Sequence, residues 1–160
     1  MSLVYLALGS NLGDREQNLR SALIALVPHL QIESVSPVYK TTPQYMADQP
    51  PFYNAAVKAS TNLSPEVLLI FLKRIEEKVG RTPTFRNGPR VIDLDILLYD
   101  DTVMQTPGLT IPHPRMHERT FVLTPLADIA QDVVHPILHK TVRELLLATS
   151  GEIVKTDIRL

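Results

Sequence analysis

Apolar and polar residues recur along this chain in two distinct rhythms, and the rhythms divide it into elements. Leu3-Val4-Tyr5-Leu6-Ala7-Leu8 is a short unbroken apolar run closed by Gly9, the signature of a strand buried on both faces. Gly9-Ser10-Asn11-Leu12-Gly13 reads as a turn. Asp14 then predicts a helix start, with Gln17 reaching back in a capping-box arrangement and Leu19, Ala22, Leu23 and Leu26 forming an apolar stripe that Pro28 ends. Alternation from Ile32 to Tyr39 predicts one strand, and Phe52 to Leu63 predicts another through Ala55-Ala56-Val57-Lys58-Ala59. Ser64-Pro65 is a cap followed by a first-turn proline. Val67, Leu68, Phe71, Leu72, Ile75 and Val79 make the apolar face of the helix that follows, and Gly80 is its stop. The strand after it, Ile92 to Leu98, alternates strictly: Ile92, Leu94, Ile96 and Leu98 on one face, Asp93 and Asp95 on the other.

Strand, helix, strand, strand, helix, strand is the α+β, ferredoxin-like β-α-β-β-α-β order, an antiparallel sheet with two helices on one face. A C-terminal extension is predicted to hold a small hairpin near Val103 to Leu109, a helix from about His117 to Ala130 and a short helix from Val142 to Ala148. There is no internal repeat, low-complexity tract or interdomain linker, so residues 1–160 are read as a single domain.

Composition narrows the class. A formal charge of -1 offers no basic field for nucleic acid, and the absence of cysteine removes disulfides, thiolate zinc sites and thiol nucleophiles. No apolar run approaches the roughly 18 residues of a membrane span, and the start has no basic leader. The expectation is therefore a cytoplasmic monomer without membrane or nucleic-acid partners. Thirteen prolines cluster in part between Thr42 and Pro51 and between Pro83 and Pro114, which predicts loops there.

Candidate chemistry centres on Asp93 and Asp95. Two residues apart on a strand they lie about 7 Å from each other on one face. Like charges placed there for packing would repel, so either the face is simply solvated or a cation sits between them. The cation that prefers a few carboxylates plus substrate phosphates is Mg2+. Arg81, Arg86 and Arg90 precede the strand, where they are either a solvated loop or bidentate phosphate ligands. His113, stiffened by Pro112 and Pro114 and followed by Arg115, His117 and Arg119, is a candidate phosphate or nucleotide contact. Asn54, after Phe52 and Tyr53, could read a heterocycle edge while an aromatic stacks on it, or serve as core and cap. The Gly9–Gly13 turn could cradle a phosphate, yet lacks a P-loop's lysine ending. A ligand-sensing or RNA-binding module, or another Mg2+-dependent nucleotidyl or phosphoryl transferase, shares this fold order.

Taken in series, Leu8-Gly9-Ser10-Asn11-Leu12-Gly13-Asp14, Phe52-Tyr53-Asn54-Ala55-Ala56-Val57, Gly80-Arg81, Gly88-Pro89-Arg90-Val91-Ile92-Asp93-Leu94-Asp95-Ile96-Leu97 and the stretch from Ile111 to Phe121 resemble the hydroxymethyldihydropterin pyrophosphokinases of folate biosynthesis, from Leu3 to about Pro136. The resemblance implies the fold above and transfer of pyrophosphate from ATP to the hydroxymethyl group of a reduced pterin, with release of AMP. It implies two Mg2+ ions on Asp93 and Asp95, and a reaction carried by these with Arg81 and Arg90. Asn54 corresponds to the pterin-bonding amide, Phe121 and Phe52 to the two aromatic walls, and Thr41, Thr42 and Pro43 to positions whose backbone meets the pterin. Glu76, on the exposed side of the second helix, corresponds with Arg90, Thr110, His113 and Arg119 to positions lining the ATP site. Two loops, about Lys40 to Pro51 and Arg81 to Pro89, are implied to close over the site. Pro83 and Asn87 depart from residues that some members carry there, which leaves open whether Arg81 or Arg86 reaches the phosphates.

Overall fold

The computed structural model describes residues 1–41, 50–80 and 90–160. In chain order the elements are β1 (Ser2–Ser10), α1 (Arg15–Leu26), β2 (Leu30–Val35), β3 (Tyr39–Thr41), β4 (Phe52–Thr61), α2 (Pro65–Val79), β5 (Asp93–Tyr99), β6 (Met104–Thr106), β7 (Leu109–Ile111), α3 (Thr120–Ala130), α4 (Val142–Leu147) and β8 (Val154–Lys155). The sheet runs β5-β1-β4-β3-β8, with β2 also pairing β4, and its pairs are antiparallel. β6 and β7 form a separate hairpin. No described helix is long and apolar enough to cross a membrane.

The alternation of β1 and β4 makes the sheet a partition between two cores. Val4, Leu6 and Leu8 of β1 and Ala55, Val57 and Ala59 of β4 join Leu19, Ala22 and Leu26 of α1 and Leu68, Leu72 and Ile75 of α2. On the other face, Tyr5 and Ala56 join Leu123, Leu126 and Ala130 of α3 with Val142 and Leu145 of α4. Because β1 must bury side chains in both directions, its sequence shows no polar alternation. Ser64 Oγ caps α2 by accepting from the Val67 N–H, and Gly80 ends that helix at φ 113°, a left-handed conformation that glycine adopts without a Cβ penalty.

Several elements depart from their sequence-based expectations. The strand predicted from Ile32 to Tyr39 is two strands. Pro37 has no N–H for a ladder, and Ser36 Oγ accepts from the Ala56 N–H (2.8 Å), which bridges the break to β4. Leu98 does not share a face with Ile92, Leu94 and Ile96. The β1–β5 register slips between Tyr5 and Leu6, and Leu97 and Leu98 both join the α3–α4 core while Tyr99 returns to the first. Asp14 Oδ1 caps α1 by accepting from the Gln17 N–H (3.1 Å), but the Gln17 amide turns to Ser21 Oγ (3.2 Å), so the reciprocal half of the capping box is not made. The helix expected from His117 begins at Thr120, after a 3-10 turn over Met116–Glu118. A complete capping box does occur at α4, between Thr141 and Glu144.

Candidate active site

Two rows across the sheet organise the candidate residues. Asp93 of β5 lies opposite Gly9 of β1, which lies opposite Asn54 of β4, and Asp95 lies opposite Ala7. Residues directly opposite in antiparallel strands project to the same side, so Asp93, Asp95, Asn54 and Phe52 share the face that carries α3. Both aspartates are only partly buried. Gly9 is required by close approach: a Cβ there would stand 3.2 Å from Asn54 Oδ1 and 3.5 Å from Cδ1 of the Phe52 ring. The amide and the ring therefore lie over bare backbone.

Phe121 reaches the same face from the first turn of α3. That helix is pinned to the sheet by the Tyr39 hydroxyl, which donates to Asp128 Oδ2 at 2.5 Å. Burial, and then the Asp128 carboxylate, push the Tyr39 hydroxyl up to about 12, so the bond persists across the working pH range. Thr41, at the end of β3, accepts at Oγ1 from the Asn54 amide nitrogen (2.9 Å).

The cationic side is built by the segment after the β6–β7 hairpin. The His113 backbone N–H donates to the Leu97 carbonyl (3.0 Å), which docks the segment on β5. Burial lowers the His113 imidazole below its ordinary range; Asp95 opposes this, and Arg119 and Arg115 add to it. His113 Nδ1 accepts from the Arg115 N–H (3.2 Å), so the proton of the neutral ring sits on Nε2. The Arg119 guanidinium lies 5.6 Å from the Phe121 ring centroid. Arg90 Nε stands 4.0 Å from Asp93 Oδ1, at the outer limit of an ion pair. Thr110, on β7 opposite Gln105, is partly exposed.

Thr42, Pro43, Arg81 and Arg86 lie outside the described residues. Glu76 is not on the exposed side of α2. Its side chain is 2% exposed, Oε2 accepts from the Leu94 N–H (2.8 Å), and Oε1 pairs with Lys73 Nζ (3.3 Å). The reason is non-local: β5 is the last strand of the sheet, and its outward backbone donor needs a partner.

Sequence reading gave Asn11 only as part of a turn. Fully buried, it accepts at Oδ1 from the Arg90 N–H (2.7 Å), donates from Nδ2 to the Pro50 carbonyl (3.2 Å) and donates its backbone N–H to the Arg90 carbonyl (3.0 Å). With its backbone N–H and its amide so engaged, Asn11 makes the turn a strut between Pro50 and Arg90. An asparagine between Ser10 and Leu12 in a glycine-bounded turn was the available signal.

These features define a mixed α/β domain in which an acidic strand edge, a cationic segment and an aromatic slot meet on one sheet face. Residues 5–131 match the model of the 7,8-dihydro-6-hydroxymethylpterin-pyrophosphokinase family, and the chain belongs to that family. It is 51% identical over 146 residues to a folic acid synthesis protein of Dictyostelium discoideum, an alignment covering 91% of this chain and 22% of that protein. It is 44% identical over 144 residues to the 2-amino-4-hydroxy-6-hydroxymethyldihydropteridine pyrophosphokinase of Aquifex aeolicus, covering 90% of each. The Bacillus subtilis protein of the same name is 48% identical over 134 residues, covering 82% of this chain and 80% of that protein. The chain thus spans about a fifth of the Dictyostelium relative and most of the two bacterial ones. A Plasmodium falciparum HPPK-DHPS crystal structure shares the fold at a TM-score of 0.71 and 20% identity, covering 92% of this chain and 43% of that one.

Proposed function

We propose that this domain transfers the terminal pyrophosphate of ATP to the hydroxymethyl group of 6-hydroxymethyl-7,8-dihydropterin, releasing AMP, and that its β1-α1-β2/β3-β4-α2-β5 core is a ferredoxin-like unit. The observation that carries the reading is the meeting of Asp93, Asp95 and His113 with Phe52, Asn54 and Phe121 on the face of the sheet that holds α3.

In this reading the pterin ring stacks between Phe52 and Phe121, and Asn54 reads its edge. The Nε2–H of His113, with Arg90 and Arg119, holds the phosphate oxygens, and Thr110 lines the nucleotide beside them. Arg81, outside the described residues, is assigned with Arg90 to the same charge. Among the described residues no group of three or more His, Cys, Asp or Glu could hold a metal ion. Two carboxylates on one face still fit a hard cation whose remaining ligands are substrate phosphates and water. Two Mg2+ ions held by Asp93 and Asp95 would supply charge neutralisation on the transferring phosphates. The pterin hydroxyl oxygen forms a bond to the middle phosphorus, the bond from that phosphorus to the innermost bridging oxygen breaks, AMP leaves with that oxygen, and the hydroxyl proton is lost to solvent. No covalent enzyme intermediate is required.

Incubation with ATP, Mg2+ and the hydroxymethyl pterin is expected to yield AMP and pyrophosphorylated pterin in equal amounts. A chromatogram with ADP as the stoichiometric product would overturn the assignment in favour of an ordinary kinase. In the same assay Phe121→Ala is expected to weaken pterin binding about 10- to 100-fold, since stacking on a planar ring contributes on the order of 1–3 kcal/mol. ATP affinity should barely move; equal losses for both ligands would mean that α3 had come loose from the sheet.

A further inference from the structure

We propose that His135 is an acid-labile latch: neutral, it caps the turn from His135 to Lys140 and backs the 3-10 turn over Met116–Glu118, and on gaining a proton it releases both and loosens the segment that carries Arg115 and Arg119. The latch itself is independent of the pterin reading. Its effect on nucleotide binding rests on the phosphate role proposed for Arg119.

The turn lies between α3 and α4 and closes on itself. The His139 N–H donates to the His135 carbonyl (2.9 Å), the His135 N–H donates to the Lys140 carbonyl (2.8 Å), and Val134 bridges Thr141. Pro136 has no N–H to offer. The next two N–H groups, of Ile137 (3.2 Å) and Leu138 (3.1 Å), both donate to His135 Nδ1. A backbone N–H can only donate, so Nδ1 must present its lone pair, and the neutral ring carries its proton on Nε2. The arrangement is that of a helix N-cap, a place usually taken by Asp, Asn, Ser or Thr. Here the acceptor titrates close to neutral pH. A proton on Nδ1 would set two donors against a third, in a residue that is 5% exposed and has little water to turn to.

The same ring faces the cationic side of the candidate site. His117 meets it edge-on, with ring centroids 6.4 Å apart and planes at 75°. His117 belongs to the 3-10 turn between Arg115 and Arg119, and Met116 of that turn shares a core with Val142 and Leu145 of α4. The charged groups on the segments around His135 are His117, with Glu118 3.8 Å from its Nε2, in the 3-10 turn; His139 and Lys140 in its own turn; Asp132 beyond the end of α3; and Arg143 and Glu144 in α4, where Glu144 accepts from the Thr141 N–H (3.0 Å). Burial, then His117 and His139, hold the His135 imidazole below the ordinary histidine range. The unfolded chain therefore takes up this proton more readily than the folded one. The stability that the cap contributes is whole above an unfolded histidine's pKa of about 6.5 and declines as pH falls below it.

His135→Asn keeps an acceptor for the same two N–H groups and cannot titrate. Between about pH 7.5 and about pH 5.5, the urea-unfolding constant of the wild-type chain is expected to rise about fivefold more than that of the variant. Affinity for a non-hydrolysable ATP analogue with Mg2+ is expected to fall about threefold more in the wild-type chain over the same interval, a modest coupling between two sites. Comparing the two chains cancels the titration of the nucleotide and of His113. Nitrogen NMR of the wild-type imidazoles at the higher pH is expected to place the His135 proton on Nε2, and hydrogen-exchange protection of Ile137 and Leu138 should fall relative to Val142 as pH is lowered. Should the variant fail to fold, these wild-type measurements decide. A proton on Nδ1, or protection at Ile137 and Leu138 that keeps pace with Val142, would overturn the latch, as would equal pH dependence of unfolding in the two chains. Equal losses of nucleotide affinity beside unequal unfolding would overturn the link to Arg115 and Arg119. A wild-type chain that binds no ATP analogue at either pH would instead overturn the nucleotide assignment.

Discussion

Asp95→Asn is expected to fold and melt like the wild-type chain while its pyrophosphate transfer falls by about two orders of magnitude or more. The two halves of that expectation have separate physical sources. Asp95 lies opposite Ala7, only partly buried, and its carboxylate accepts no hydrogen bond from the described residues. Replacing it by a nearly isosteric amide removes a charge without leaving a donor stranded, so little folding energy is at stake. What disappears is half of the negative charge that a hard cation needs on this face, together with the field at His113 that Asp95 supplies. The measurement is steady-state AMP release at saturating Mg2+, set beside a thermal melt. Turnover close to wild type would remove the metal role from this strand. A lowered melting temperature with normal turnover per folded molecule would mean that the carboxylate serves packing instead.

How far the sequence foretold this arrangement differs from element to element. β1, β4, α2 and the facing of Asp93 with Asp95 were legible because each rests on a local period: an unbroken apolar run, a cap and a stripe, or a strict alternation. Leu98 was misplaced because a bulge shifts the period by one residue, and with Leu97 and Leu98 both leucine the hydrophobic pattern is the same whichever one faces a given core. The split between β2 and β3 follows from Pro37 but is masked by the alternation that continues through Val35 and Val38. Within the candidate site, the aspartates, His113, Arg119, Asn54 and Phe52 were nameable from residue type and motif spacing, and Phe121 through the family resemblance alone. The struts were not. Asn11 joins Arg90 across 79 positions of sequence, and Tyr39 joins Asp128 across 89, and no local pattern encodes such pairings.

Glu76 illustrates the same limit and yields the largest expected effect on stability. Its position in α2 looks like an ordinary surface place on a helix, and only the finished sheet makes it a buried acceptor for the Leu94 N–H. Leu94 sits between Asp93 and Asp95, so this bond ties the strand that carries both carboxylates to α2, beside its ladder with β1. Glu76→Ala would strand a buried backbone donor and open space beside β5, at a cost of about 2–3 kcal/mol. For a domain of this size that corresponds to a melting temperature lower by roughly 5–10 °C. Glu76→Gln keeps a side-chain oxygen for Leu94 and forfeits the charge shared with Lys73, which is half-exposed and contributes little. The glutamine variant should therefore melt within a few degrees of wild type and retain most of its turnover, whereas the alanine variant should lose stability and turnover together as the strand shifts. Equal melting temperatures for the two variants would sink this account, because they would assign the effect of Glu76 to its charge and not to the hydrogen bond that holds Leu94.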